Sequence, residues 1–95
     1  MRLVVSRAAT LDLERLHHFL ADWDARLARR AMAAIDSAVH SLANFPERGR
    51  PSGIPGIREL IVPFGRSAYL LRYAYSARRD EIVILRVWHG REERP

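Results

Sequence analysis

Ninety-five residues, 48% of them hydrophobic, suffice for one compact core over residues 1–95 and leave no length for a second. The absence of cysteine excludes disulfides and thiolate metal sites; with no apolar run near the ~18 residues of a membrane span and no apolar export signal, a soluble cytoplasmic protein is expected. The formal net charge is +5 and all sixteen basic residues are arginine, so no lysine is present to act as a titrating base and an anion-seeking surface is expected.

Arg2–Val5 predicts a short first strand. From about Arg7 the apolar period lengthens to that of a helix, with Ala9, Leu13, Leu16 and Leu20 on one face. Ser6 is a candidate N-cap, and Asp12 and Glu14 lie near the positive end of the helix dipole. Asp22-Trp23-Asp24 breaks the pattern, and Asp24 is placed to cap a second helix. There Ala28, Ala31, Ile35, Ala38 and Leu42 make one stripe, widened by Leu27, Met32 and Val39. The small residues predict close packing as an αα-hairpin, with Phe19 and Trp23 expected to close it. Pro46 ends the second helix, because the residue before a proline is pushed out of the helical region. Residues 45–56 are so rich in glycine and proline that no regular element is expected there.

Beyond Gly56 the period becomes two. Leu60, Val62 and Phe64 share a face with Arg58, and Gly65-Arg66 marks a turn. Tyr69, Leu71, Tyr73 and Tyr75 then alternate with Ala68, Leu70, Arg72 and Ala74. Turning the tyrosines to the core leaves Arg72 exposed. After a polar turn at Ser76–Asp80, Ile82–Trp88 is apolar on both faces and reads as a central strand. Strict alternation gives Arg86 the parity of Ile82, Ile84 and Trp88, beside Arg72. The expected fold is α+β, βααβββ, a helical hairpin packed on a small antiparallel sheet.

Charge is uneven: residues 1–46 carry six arginines against five acids, residues 47–95 ten against six. The anion-seeking surface therefore belongs to the C-terminal half. His17 and His18 face different sides of their helix with no third ligand at metal spacing, so no metal is expected, and no cofactor motif is present. A basic nucleic-acid-binding module fits the charge, but there is no recognition helix or aromatic-rich RNA-binding strand. Arg26, Arg29 and Arg30 cluster where the dipole of the second helix disfavours cations. Direct nucleic-acid binding is the weaker alternative.

Four segments, in chain order, carry a family resemblance. VVSRAATLDLERLHHFL is similar to the opening of ParE-type toxins. LANFPERGRPSGIPGIRELIV resembles their helix end, Pro-x-x-Gly-Arg loop and Arg-Glu strand. PFGRSAYLLRYAY looks like their turn and tyrosine-centred strand, and EIVILRVWHGREERP their Ile-x-Ile-x-Arg-Val-x-His-Gly-Arg terminus. The chain thus resembles the RelE/ParE superfamily of type II toxin–antitoxin systems over nearly its whole length, closer to the ParE-like members. The resemblance implies that fold, a cytoplasmic location and a hetero-oligomer with a ParD-like antitoxin whose acidic or amphipathic segment wraps the toxin. It also implies one of two activities: RelE-like members cut messenger RNA in the ribosomal A site, and ParE-like members inhibit DNA gyrase.

The residues bear on that choice. Cleaving RNA needs a base for the 2′-OH, fixed cations and an acid for the leaving oxygen. Where similar RelE-like members place an arginine and two lysines, this chain has Leu70, Glu59 and Ile61. Other ribonuclease members use a Glu, an Arg and a C-terminal His, and Glu59, Arg66 and His89 keep that reading open. The Trp88-His89-Gly90-Arg91 ending is similar to the ParE-like pattern, so gyrase inhibition is preferred, mRNA cleavage is the alternative, and no catalytic residue is assigned. Contacts to antitoxin or target are expected from Arg58 as a carboxylate clamp, Arg66 at a turn tip, Arg72, Arg86, Trp88 as a partly exposed anchor, His89 and Arg91.

Overall fold

The computed structural model describes residues 1–94. Its elements are β1 (Arg2–Val5), α1 (Arg7–Ala21), α2 (Ala25–Ser41), β2 (Arg50–Pro51), β3 (Ile57–Phe64), β4 (Ser67–Ser76) and β5 (Glu81–His89). Both helices start where the caps predict. Ser6 Oγ accepts from the Ala9 N–H at 3.1 Å and donates to Leu85 O at 3.1 Å, so one hydroxyl starts α1 and ties it to β5. Asp24 Oδ1 accepts from the backbone of Arg26 and Leu27 at the head of α2.

The five strands form one sheet in the order β1-β5-β4-β3-β2. Three neighbouring pairs are antiparallel, as expected. β1, however, runs parallel to β5, with Leu3 beside Ile82 and Val5 beside Ile84. The hairpin of helices is the crossover that makes this possible. One sheet face carries Leu60, Val62, Tyr69, Leu71, Tyr73, Ile82, Ile84 and Val87 against Ala9, Leu16, Ala31, Ile35 and Leu42 of the helical side. Phe19 and Trp23 do not close the hairpin, being 65% and 80% exposed. The two helices meet instead through Ala9, Leu16, Ala31 and Ile35, with Leu13 and Leu20 packed on them. Among the described residues no helix is long and apolar enough to cross a membrane.

The stretch expected to be irregular contains a short strand after all. Arg50 and Pro51 pair with Glu59 and Arg58, because the preceding backbone is held from two sides. The Gly49 N–H donates to the Tyr73 hydroxyl at 2.9 Å, and that hydroxyl donates to Pro46 O at 2.8 Å. Arg58 Nη1 donates to Gly49 O at 2.7 Å and Glu47 O at 3.3 Å. Proline is tolerated at this edge since no further strand needs its missing N–H.

Gly49 is required by this packing. A Cβ there would lie 2.7 Å from the Tyr73 ring and 2.9 Å from Glu59 O, which is backbone. Gly49→Ala is therefore expected to cost about 2 kcal/mol through overpacking, read as a lower urea midpoint. An unchanged midpoint would show that the loop relaxes without the Tyr73 clamp.

Candidate functional site: an arginine row on the open face of the sheet

Along β3 and β4 the alternation is regular, so Glu59, Ile61, Leu70 and Arg72 point away from the helices. β5 departs from it. Arg72 pairs with Arg86 but Tyr73 pairs with Ile84, so Leu85 is an extra residue, a bulge in the ladder. Ile82 and Ile84 before the bulge and Val87 after it all face the core, while Arg86 and Trp88 face the opposite way. The sequence expectation that Arg86 shares the face of Ile82 and Ile84 fails for this reason; its pairing beside Arg72 stands.

The result is a row of charge across four strands: Arg50 on β2, Glu59 on β3, Arg72 on β4 and Arg86 on β5 occupy successive register positions. Like charges directly opposite, as at Arg72 and Arg86, repel. Each is balanced on its far side. Arg72 donates Nε and Nη2 to one Glu59 oxygen at 3.0 and 2.8 Å, and Arg86 donates Nε to Asp12 Oδ2 at 2.8 Å and Nη2 to Oδ1 at 3.1 Å. Both guanidinium carbons also lie over the Trp88 ring, 4.8 and 5.0 Å from its centroid. Trp88 is consequently 2% exposed, which corrects the expectation of a partly exposed anchor. It is the platform on which two partly exposed arginines rest.

Asp12 is the buried residue on which the row ends. β1 stops at Val5, so the β5 edge beyond Ile84 lacks a strand partner, and α1 crosses it instead. Asp12 Oδ2 accepts the otherwise unpaired Val87 N–H at 2.9 Å, and Arg15 Nη1 donates to Oδ1 at 2.9 Å. Burial pushes the Asp12 carboxyl up. The hydrogen bonds from Arg86, Val87 and Arg15, with the charge of Arg86, outweigh that and hold it below the ordinary carboxylate value. The position of Asp12 in the sequence points only to the helix dipole. The signal was present: Asp12 lies between Ala9 and Leu16 on the line of positions that α1 buries.

The remaining candidates gather at one end of the sheet. Arg66 is exposed in the two-residue turn between β3 and β4, where Gly65 takes φ 59° at the first central position, as a type II′ turn requires. His89, paired with Tyr69, is on the core-facing side with its ring edge-on to Tyr69 at 5.6 Å. Its Nδ1 accepts the Arg91 N–H at 3.1 Å, which leaves the proton on Nε2 to donate to Ser67 Oγ at 3.0 Å. Arg91 is exposed just beyond. Glu92, which sequence reasoning left unassigned, folds back to accept from Arg15 Nη2 at 2.9 Å and from the His89 N–H at 2.9 Å. Arg58 stands apart, engaged with its own loop.

Glu59, Arg66 and His89 are thus not brought together. Glu59 is three register positions along β3 from Val62, the residue level with Tyr69 and His89, about 10 Å at strand rise, and on the opposite face. His89 is bonded to Ser67, the neighbour of Arg66 in sequence, and the Arg66 side chain makes no hydrogen bond or ion pair among the described residues. Among the described residues no three His, Asp or Glu side chains converge to hold a metal ion.

Residues 3–94 match the family described as ParE toxin of type II toxin-antitoxin system, parDE. Toxin RelE1 of Caulobacter vibrioides is 39% identical over 92 residues, covering 97% of this chain and 96% of its own. Toxin RelE3 of the same organism is 35% identical over 86 residues, 90% of each chain. A solved chain from the chromosomal ParDE TA system of P. aeruginosa superposes with a TM-score of 0.73 at 28% identity, over 94% of this chain and 95% of that one. Its two helices on a five-stranded, mostly antiparallel sheet match that structure. This chain belongs to the ParE toxin family of type II toxin–antitoxin systems.

Proposed function

We propose that this toxin acts in the cytoplasm as a stoichiometric inhibitor of DNA gyrase and is neutralised in a hetero-oligomer with a ParD-like antitoxin. The observation that carries the reading is the separation of Glu59 from His89, which lie on opposite faces of the sheet. A nucleotide phosphate needs base, acid and cation within hydrogen-bond reach of one another's targets. Here the carboxylate is already held by Arg72, and both His89 nitrogens are bonded within the chain. What remains available is a charged surface: Arg72 and Arg86 half-exposed over Trp88, and Arg66 and Arg91 free at the sheet end. Such a surface suits a protein contact, since arginine is enriched among the residues that carry most of an interface's binding energy.

A second reading, ribosome-dependent cleavage of mRNA, has one observation in its favour. Arg72 and Arg86 sit side by side next to Glu59, a pair of fixed cations beside a carboxylate. In that case the row, rather than His89, is the reacting centre.

Replacing Arg66 and Arg91 by Glu tests the preferred reading without touching the core, since neither side chain makes a hydrogen bond or ion pair among the described residues. The concentration needed to stop gyrase supercoiling is expected to rise roughly tenfold or more, the ~1.4 kcal/mol of one lost interface contact. Tm should stay within the range of surface substitutions. Undiminished inhibition would remove Arg66 and Arg91 from the target contact.

A further inference from the structure

β1 ends at Val5, so two carboxylates stand in for a strand along the β5 edge beyond Ile84. The Val87 N–H donates to Asp12 Oδ2 and the His89 N–H to Glu92 Oε1, both at 2.9 Å. Arg15 grips both acids with one guanidinium, Nη1 on Asp12 Oδ1 and Nη2 on Glu92 Oε2, each at 2.9 Å. Asp12 is brought there by α1. Glu92 is brought there only because the chain reverses directly after β5.

That reversal is closed at every amide. The Gly90 N–H donates to Ala68 O at 2.8 Å, the Arg91 N–H to His89 Nδ1 at 3.1 Å, and the Glu92 N–H to His89 O at 3.0 Å. With the Glu92 carboxylate on the His89 N–H, the pattern is that of a capping box, in which first and fourth residues each bond the other's end of the turn. Histidine takes the place usual for serine or threonine, and the box closes one turn instead of starting a helix. A chain end is ordinarily where order is lost, yet this one is tied at three successive residues. None of the bonds involves the Arg91 guanidinium. They fix only the backbone from which that exposed side chain projects, and the Gly90 bond to Ala68 sets it at the sheet end where Arg66 stands.

We propose that His89 and Glu92, with Arg15 holding Glu92, are positioning residues that fix Arg91 for its contact with the toxin's target before the target arrives. This rests on the reading of Arg91 as a target contact, and holds for gyrase and for the ribosome alike. A long side chain on a frayed end loses more freedom on docking than one on a fixed turn, so fixing the turn strengthens binding without adding a contact. A turn that merely sealed the β5 edge would affect activity only through stability.

Two replacements of His89 separate these roles. Leucine keeps apolar bulk beside Tyr69 and offers no acceptor. Asparagine gives up the ring but sets an amide oxygen near the place of Nδ1, as in an Asx turn. Activity of the full chain is titrated as loss of supercoiling or as mRNA cleavage, whichever the wild type shows, beside Tm by circular dichroism and amide exchange by NMR. The Arg91 amide is expected to exchange roughly tenfold faster or more in His89→Leu and Glu92→Ala than in wild type or His89→Asn. The half-effective toxin concentration should rise about tenfold in His89→Leu and Glu92→Ala and stay within about twofold of wild type in His89→Asn, although the asparagine variant has the lower Tm of the two. In an Arg91→Glu background neither His89→Leu nor Glu92→Ala should weaken activity further, because both act through Arg91. Activity that follows Tm, normal in His89→Leu and weakened in His89→Asn, overturns the proposal and makes the turn an edge seal. Losses that add to that of Arg91→Glu overturn it as well, since His89 and Glu92 would then touch the target themselves. If Arg91→Glu alone matches wild type, the target-contact reading of Arg91 fails and the positioning role fails with it.

Discussion

Replacing Asp12 by Ala is expected to lower the Tm of this protein by roughly 15 °C, at about 4–8 °C per kcal/mol for a domain of this size. The stability change behind that figure is about 3 kcal/mol. The Val87 N–H loses its partner inside the fold, which costs about 1–3 kcal/mol, and two charge-assisted bonds to Arg86 are lost as well. The loss stays at the lower end of values for broken buried ion pairs because the Arg86 side chain is 35% exposed and that of Arg15 44%, so both guanidiniums regain water. Alanine is itself a good helix former, so α1 adds no cost of its own. A loss below about 1 kcal/mol would mean that water replaces Asp12 on the β5 edge.

The same carboxylate makes a pH prediction whose sign follows from its depressed folded-state pKa. Stability contributed by such a group is fully present above the unfolded value, about 3.9, and is lost as pH falls through the lower folded value. Wild type should therefore exceed Asp12→Asn in Tm at neutral pH, and the gap should close below about pH 4. A gap constant down to pH 2 would show that charge at Asp12 contributes nothing beyond shape.

Trp88→Ala is the second large effect, expected at about 3–4 kcal/mol in urea unfolding. The ring is 2% exposed and borders Leu70, and its loss leaves a cavity under two guanidiniums that cannot fill it. The two cation–π contacts add about 0.5–1 kcal/mol each. Arg72 and Arg86 would remain tied to Glu59 and Asp12 but lose the surface that fixes their height above the sheet. Target inhibition should fall even at temperatures where the variant is folded, whereas Trp88→Phe should keep most of both properties. A variant that unfolds normally and inhibits normally would show that the ring is not a platform.

Much of this was legible in the amino-acid sequence, and the limits have physical causes. Caps at Ser6 and Asp24, the alanine-lined hairpin and the tyrosine face of β4 follow from local chemistry and periodicity, which depend on neighbours a few residues away. The bulge at Leu85 breaks the period within the apolar run Ile82–Leu85, where no polar residue reports which face is inside. Parity counted through it assigns Arg86 to the wrong set. β1 pairs with a strand some eighty residues later, and four residues of Arg-Leu-Val-Val carry no information about strand direction. Arg72 was expected to be exposed; it is half-buried because Glu59 and Trp88, both distant in sequence, meet it across the sheet. Arg58, expected as a carboxylate clamp, is also anchored to its own loop, its Nη1 donating to the carbonyls of Glu47 and Gly49. Its replacement therefore reads on stability as well as on binding. Hydrophobicity alone places Phe19 and Trp23 inside the hairpin, whereas the fold leaves both exposed.

The most direct test of the proposed activity is a titration of purified toxin into a gyrase supercoiling reaction, run beside a ribosome-programmed mRNA cleavage assay on the same preparation. Supercoiling that stops near one toxin per gyrase subunit, with mRNA intact, is the predicted result. Cleaved mRNA with gyrase unaffected would contradict it, and would turn Glu59, Arg72 and Arg86 from a contact surface into the candidate reacting centre.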